Sequence, residues 1–458
     1  MRDYASESFW LDDLTEEIVP RPQLTGRLDA DVAIVGAGYT GLWTALYLLR
    51  EDPSLRVVLC DAGVAGAGAS GRNGGWVMGL AEGVSERLRD PATQEAGVRW
   101  QRALFETVDE VGRVSDEEGI DCDFAKGGML QVARAPAERA RLLAELEERR
   151  AQGFGDGDFR WLSPDALRRR FRSGAPLGAL YCSHVAAIHP ARLVRGLARA
   201  VEARGGSIFE GSPVRRVAER SLETAAGEVR ARWVVLATEG YTPSLPGRRR
   251  KLIPIHSMMI ATEPLPPAVW EEIGLSARET FGGAGRISTY GQRTVSGRIA
   301  FGARGVYYYG SGVRERFTAA DPRFDEVRAA LLQLMPSLEG VEITHRWGGP
   351  LGVARDWSPR IGLFPERGLA LAGGYVGEGV GASNLAGRTL ADGILGRETE
   401  RTALPWVTGD FPNWEVEPLR WLGVSAVRRL GDRLDRAERA GRHAPRLAQA
   451  LWRTFVRH

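Results

Sequence analysis

Hydrophobic periodicity is sharpest over residues 31–61, DVAIVGAGYTGLWTALYLLREDPSLRVVLCD. Val32 to Val35 form a short apolar run, which reads as a strand. Beyond Gly36, Gly38 and Gly41 the apolar positions take helical spacing as far as Arg50. A second apolar run, Arg56 to Cys60, ends on Asp61. The pattern predicts strand, glycine turn, helix, strand and acid.

Residues 85–120 and 137–170 are polar and amphipathic, predicting helices, with a turn and strand over 122–135 between them. Helical spacing returns over 189–204 (Leu193, Leu197, Val201), started by Pro190 and stopped by Gly205 and Gly206. A strand is predicted over 207–219, then a hairpin through 222–233 into the buried strand Val234 to Leu236. Residues 250–345 alternate and are aromatic-rich, predicting a second domain with a large sheet and helices near 323–335. Strand, glycine and helix come back over 346–396. Leu369 to Ala372 form the strand, five glycines lie between 373 and 381, and Ala386, Leu390, Ala391 and Ile394 share a helix face. Residues 62–79, AGVAGAGASGRNGGWVMG, hold seven glycines and no long side chain before Arg72, a composition suited to wrapping closely around a ligand.

At the front, Phe9, Trp10 and Leu11 are expected to pin a polar lead-in (1–27) to the body. At the back, 412–458 has ten arginines against five acids. Apolar residues there recur at three and four (Val427, Leu430, Leu434; Leu447, Leu451, Phe455). These predict helices docked on the protein's own surface or on a symmetric neighbour, with attachment to an anionic membrane surface as the alternative.

Composition and charge remove several classes. A formal net charge of +3 over 458 residues is too small to point to nucleic acid. Cys60, Cys122 and Cys182 lie far apart with no CxxC, which argues against disulfides and zinc and for a reducing compartment. The acidic N-terminus lacks the apolar core of a signal peptide, and no run of about 18 apolar residues exists. The expectation is a cytoplasmic protein with no metal and no transmembrane segment. Lys126 and Lys251 are the only lysines, which limits lysine-based mechanisms.

The first turn carries its own chemistry. Gly36 permits the tight turn, Gly38 lets backbone close on a pyrophosphate, and Gly41 lets helix and strand pack. The helix N-terminus presents N–H groups to phosphates, and Asp61, 20 residues past Gly41, can accept from a ribose 2′-hydroxyl. The alternative is a structural turn without ligand.

Five stretches together resemble the D-amino-acid oxidase superfamily of FAD enzymes: VAIVGAGYTGL, GAGASGRNGG (66–75), VVLATEGY, RWGGPLGVARDWSPRIG and GGYVGEGVGASNLAGRTLAD. The resemblance is strongest to its amine-oxidising branch of γ-glutamylputrescine oxidase, glycine oxidase and sarcosine oxidase. It implies an α/β fold: a Rossmann-like (GR2-type) FAD-binding domain, a second α+β substrate domain on a large mixed sheet, and C-terminal helices. The expected division is 28–84, 180–248 and 346–400 for FAD, 85–179 and 249–345 for substrate, and 401–458 as an arginine-rich helical extension. By resemblance, Gly36, Gly38, Tyr39, Thr40 and Gly41 face the pyrophosphate, and Asp61 and Ala62 the adenosine ribose. Ser70, Arg72, Asn73, Gly74 and Gly75 run along the pyrophosphate and isoalloxazine, and Val214 meets the adenine. Ala237, Thr238 and Gly349 approach the cofactor, and the Gly377, Glu378, Gly379 and Val380 turn offers amides to the flavin pyrimidine edge. Non-covalent FAD is expected.

Two positions depart from the family pattern. Glu378 stands where relatives often carry His, and Gly297 to Gly302 has no counterpart of the lysine that sarcosine oxidases place over the flavin. The implied reaction is hydride transfer from the carbon beside an amine to flavin N5, followed by imine hydrolysis. The acceptor is oxygen or another electron acceptor; a flavin-binding protein without turnover and an NAD-linked dehydrogenase are the rivals. The glycine-rich 62–79 stretch and the second glycine turn speak against the NAD reading. Glu378, Tyr308, Arg304 and His256 are the expected catalytic residues, with Met258, Tyr290, Tyr307, Tyr309, Trp347 and Arg355 as further candidates. Each has a plainer role open to it: His256 as a satisfied sheet histidine, Arg304 paired with an acid, Glu378 orienting its turn.

Overall fold

The computed structural model describes residues 3–286 and 288–439 with Ala448 and Trp452, except for the side chains of Arg304 and Arg439. The chain opens with α1 (Phe9–Asp12), β1 (Gly26–Val35), α2 (Tyr39–Glu51), β2 (Val57–Cys60), β3 (Trp76–Met78), α3 (Val84–Arg89) and α4 (Gln94–Glu117). It continues through β4 (Met129–Ala133), α5 (Pro136–Ala151), β5 (Phe159–Leu162), α6 (Pro164–Arg168), β6 (Gly178–Cys182), β7 (Val185–Ala187) and α7 (Pro190–Ala203). Next come β8 (Ser207–Phe209), β9 (Arg216–Ala218), β10 (Ser221–Glu223), β11 (Gly227–Leu236), β12 (Ile253–Thr262) and α8 (Pro267–Ile273). The last part holds β13 (Thr280–Gly283), β14 (Thr289–Arg293), β15 (Ile299–Tyr307), α9 (Arg323–Leu334), β16 (Ile343–Val353), β17 (Arg360–Phe364), β18 (Leu369–Gly373), α10 (Gly379–Ile394) and α11 (Leu419–Arg439).

The first sheet runs β17-β18-β11-β1-β2-β8, with the β9–β10 hairpin added at β11. Its middle pairs are parallel. Side chains alternate between two cores: Val32, Ile34, Val57, Leu59 and Val235 pack with the helices, while Val35, Val58, Val234 and Leu236 pack on the far side. Burial on both faces is why these strands read as continuous apolar runs. The second sheet runs β16-β12-β15-β14-β13-β4-β6-β5, antiparallel except for β4 beside β13. Met258 and Ile260 face a core under α9, while Met259 and Ala261 face Phe9, Trp10 and Leu11. The lead-in aromatics are buried there.

Four boundaries differ from expectation. Pro91 separates α3 from α4 within the predicted 85–120 helix. Gly153, Gly155 and Gly157 end α5, and β5 follows inside the predicted 137–170 helix. The 207–219 strand breaks in two, with Val214 in the link. β6 and β16 pair within the second sheet, although 180–248 and 346–400 are expected in the FAD-binding domain. β16 therefore carries Gly349 from the second sheet to the first domain. The tail docks on its own body: Glu417 accepts from Tyr307, and Trp421 meets Tyr309 edge-on. Leu447, Leu451 and Phe455 lie outside the described residues. Among the described residues, no helix is long and apolar enough to cross a membrane, and no three acids, histidines or cysteines are grouped to hold a metal.

Candidate active site

The amino ends of α2 and α10 open into one cavity of about 1000 Å³. Gly36, Gly38, Tyr39 and Thr40 line it from the first turn, and Gly377, Glu378, Gly379 and Val380 from the second. At Gly36 (φ +107°) a Cβ would stand 2.6 Å from the Ala237 carbonyl oxygen, so only glycine lets β1 and β11 close here. Gly41 serves packing: a Cβ would lie 2.0 Å from the Gly36 oxygen. The two turns are joined directly, because the Thr40 and Tyr375 hydroxyls share a hydrogen bond of 3.0 Å.

Asp61 and Ala62 line the cavity at the end of β2. Asp61 Oδ2 accepts the Ala37 N–H at 2.7 Å and Oδ1 the Gly63 N–H at 2.8 Å, leaving lone pairs on both oxygens. Burial raises its pKa against the lowering effect of those two N–H groups.

The glycine-rich stretch is built, not loose. Ser70, Arg72, Asn73 and Gly74 line the cavity. Ser70 Oγ accepts the Tyr39 N–H at 2.9 Å, and Asn73 Oδ1 accepts the Gly75 N–H at 2.8 Å. Arg72 commits its guanidinium to protein partners: the Ala67 carbonyl at 2.7 Å, the Glu315 carbonyl at 2.5 Å, and a fully buried ion pair with Glu7. Gly75 packs rather than lines, since a Cβ there would meet Gln292 Nε2 at 2.0 Å. That amide donates to the carbonyls of Gly74, Gly75 and Ile188 at 2.8, 3.0 and 3.0 Å. Val214, Ala237, Thr238 and Gly349 complete the inner lining.

The expected catalytic residues divide. Glu378 stands at the N-cap position of α10, without a side-chain capping bond, and lines the cavity. His256 does not line it: the ring is fully buried, Nε2 accepts the Arg314 N–H at 2.9 Å, and Nδ1 faces the Val306 carbonyl at 3.3 Å. Burial pushes its pKa down to about 4, so it is a neutral structural histidine. Strand alternation explains the correction, because the next residue, Ser257, is the one that reaches the cavity. Tyr308 is also displaced; it packs edge-on against His256, its hydroxyl accepts from Arg323 at 2.7 Å, and Arg314 lies over its ring. Arg304 lies in β15 opposite Ser257.

Of the further candidates, Tyr290 lines the cavity, bonded through its hydroxyl to Ser257 and edge-on to Trp76. Trp347 donates to the Arg72 carbonyl at 2.9 Å, Tyr307 donates to Glu417 at 2.7 Å, and Arg355 pairs with Glu415 at 2.8 Å. Met258 is core, and Tyr309 is exposed.

Sequence reasoning missed Gln292 and Glu239. Glu239 follows β11 with φ +42°, unusual for a non-glycine residue, and lines the cavity. Its Oε1 accepts the Tyr375 N–H at 2.9 Å, and burial pushes its pKa up to about 7. Gly352 makes the room, since a Cβ there would stand 1.9 Å from Glu239 Oε2. An acid inside the apolar run that includes VVLATEGY was the available signal.

A family model described as FAD dependent oxidoreductase (DAO) matches residues 31–393. The chain belongs to this family of FAD-dependent oxidoreductases. A probable oxidoreductase OrdL of Haemophilus influenzae is 31% identical over 84% of this chain and 86% of its own length. A γ-glutamylputrescine oxidoreductase of Escherichia coli is 30% identical over 83% of this chain and 87% of its own. The fold matches the crystal structure of glycine oxidase from Geobacillus kaustophilus with a TM-score of 0.68 at 23% identity, covering 81% of this chain and 96% of that one. The cavity suits the family's cofactor. Two helix N-termini and glycine backbone line one space, so phosphates and a flat ring system find donors without side chains in the way.

Proposed function

We propose that this enzyme oxidises the C–N bond of a small amine or amino acid, giving an imine that hydrolyses in water. The observation that carries the reading is the convergence of both glycine turns, the 66–75 stretch and the mixed sheet on a single cavity. The names of the relatives, γ-glutamylputrescine oxidoreductase and glycine oxidase among them, support an amine as substrate. When bound, FAD supplies the acceptor for a hydride from the carbon beside the amine.

The residues of the chain hold and desolvate. Amides of the α10 turn would favour negative charge at the flavin's pyrimidine edge, Asp61 would accept from the ribose hydroxyls, and Ser70, Asn73 and Gly74 would hold the phosphates and ring. Glu378 pairs with the substrate ammonium or orients its own turn, while Tyr290 and Ser257 shape the substrate side. The FAD is held non-covalently: Cys60 is the only cysteine or histidine among the described residues lining the cavity, and burial holds its thiol up at about 12, protonated and weakly nucleophilic.

A second reading, transfer of electrons to an acceptor other than oxygen, is favoured by the lysines. Lys126 pairs with Asp109 and Lys251 with Asp410, and neither lines the cavity. Three free, buried thiols support a cytoplasmic setting. Anaerobic stopped-flow bleaching across an amine panel, followed by mixing with oxygen, tests both readings. Bleaching by at least one amine is expected; none by any amine overturns amine oxidation, and slow reoxidation by oxygen supports the alternative acceptor.

A further inference from the structure

The cavity's lining includes a part of the chain that the family model does not reach. Arg141 of α5 and Arg286, just after β13, line the cavity, and so do Glu438 of α11 and Trp452 beyond it. The family match stops at residue 393. Glu438 bridges the two cations with separate oxygens: Oε2 accepts from Arg141 at 2.6 Å, and Oε1 pairs with Arg286 at 2.7 Å. One helical turn earlier, Asp435 Oδ1 accepts the backbone N–H of Arg286 at 3.0 Å. The side chains of Arg286, Asp435 and Glu438 are only 11, 7 and 8% exposed, so the Arg286 pairs are shielded from the screening that weakens surface ion pairs, while Arg141 is 37% exposed. Between them and the start of the helix, Leu434 is buried, and Arg420 pairs with Glu417, which also accepts from Tyr307. The helix is thus fastened at both ends, to the last residue of β15 and to the rim of the cavity.

We infer that α11 is the outer wall of the cavity and that Glu438, with Asp435, latches it over the flavin through Arg141 and Arg286, setting which molecules enter. The latch rests on the cavity holding FAD and not on the identity of the amine. Burial raises the pKa of Glu438, but the hydrogen bonds and charges of Arg286 and Arg141 outweigh it and bring the value below the usual range, keeping the carboxylate ionised.

Dithionite, a small reductant that needs no amine recognition, reads access to the flavin directly. In the FAD-loaded full chain, anaerobic reduction is expected to be several-fold faster in Glu438→Gln combined with Asp435→Asn than in the wild type. Arg141→Glu alone, which sets like charge against Glu438, should behave likewise. An unchanged rate in the double variant overturns the latch. If the double variant does not retain FAD, Arg141→Glu decides: an unchanged rate there overturns the inference equally.

Discussion

The Glu239 carboxylate accepts the backbone N–H of Tyr375 at 2.9 Å, and through it ties the end of β11 to the turn that starts α10. The Tyr375 hydroxyl continues the tie to Thr40 on α2. A single buried acid therefore holds both glycine turns in register.

That acid makes stability depend on pH. With a folded pKa of about 7 against an ordinary value near 4.3, the folded protein binds more protons than the unfolded chain between those limits. Its contribution is fully favourable below the unfolded value and is lost as pH rises toward 7. The span amounts to about 4 kcal/mol. Thermal melts of wild type and Glu239→Gln from pH 4.5 to 8 are expected to converge on different slopes, with the Gln variant losing less stability as pH rises.

Gln292 should act on the cofactor rather than on turnover chemistry. Its amide bonds three carbonyls, two of them in the glycine-rich stretch. Gln292→Leu strands those buried acceptors, at about 1–3 kcal/mol for each one left unpaired. Fluorescence titration of apoprotein is expected to show FAD binding weakened by about tenfold or more.

The Glu7–Arg72 pair is buried on both sides. Removing one partner leaves an uncompensated charge, so Glu7→Gln should destabilise by about 3–5 kcal/mol. Denaturant melts followed by flavin fluorescence and by tryptophan fluorescence should both shift.

His256 is expected to leave the pH–rate profile alone. Held down near 4, it stays neutral through the range where an ordinary histidine titrates. Its lowered pKa makes stability fall as pH drops from the unfolded value, about 6.5, toward 4. His256→Asn should lower the melting temperature while the pH dependence of kcat/KM between 6 and 8 keeps its shape.

Glu378→Gln should separate the two roles open to that residue. Retained FAD with kcat/KM lowered about tenfold is the expected outcome for a partner of a substrate ammonium, given the strength of charged hydrogen bonds. Loss of flavin with unchanged apparent substrate affinity would assign it to the turn.

The cofactor half was legible because its signals are local. Strand, glycine and helix follow one another within 30 residues at Val32–Asp61 and again at Leu369–Ile394, and both turns reached the cavity. The substrate half was not, because its geometry depends on register. His256 and Ser257 differ by one residue, yet alternation sends them to opposite faces, and a bulge against β15 falls between them. Tyr307, Tyr308 and Tyr309 are adjacent candidates in the sequence, but Tyr307 bonds Glu417 and Tyr309 meets Trp421 instead. Gln292 and Glu239 carry no motif; their roles come from backbone groups distant in the chain.

The first dozen residues lie ahead of the matched family region, yet they reach the cofactor stretch directly. Ser8 donates to the Gly71 carbonyl and Trp10 to the Asn73 carbonyl, both at 2.8 Å, while Glu7 holds Arg72. Trimming the front end to a minimal catalytic unit, as an expression strategy would invite, removes a brace from the glycine-rich stretch proposed to hold the flavin. A shortened protein that emerges pale from purification is the practical signature of that brace.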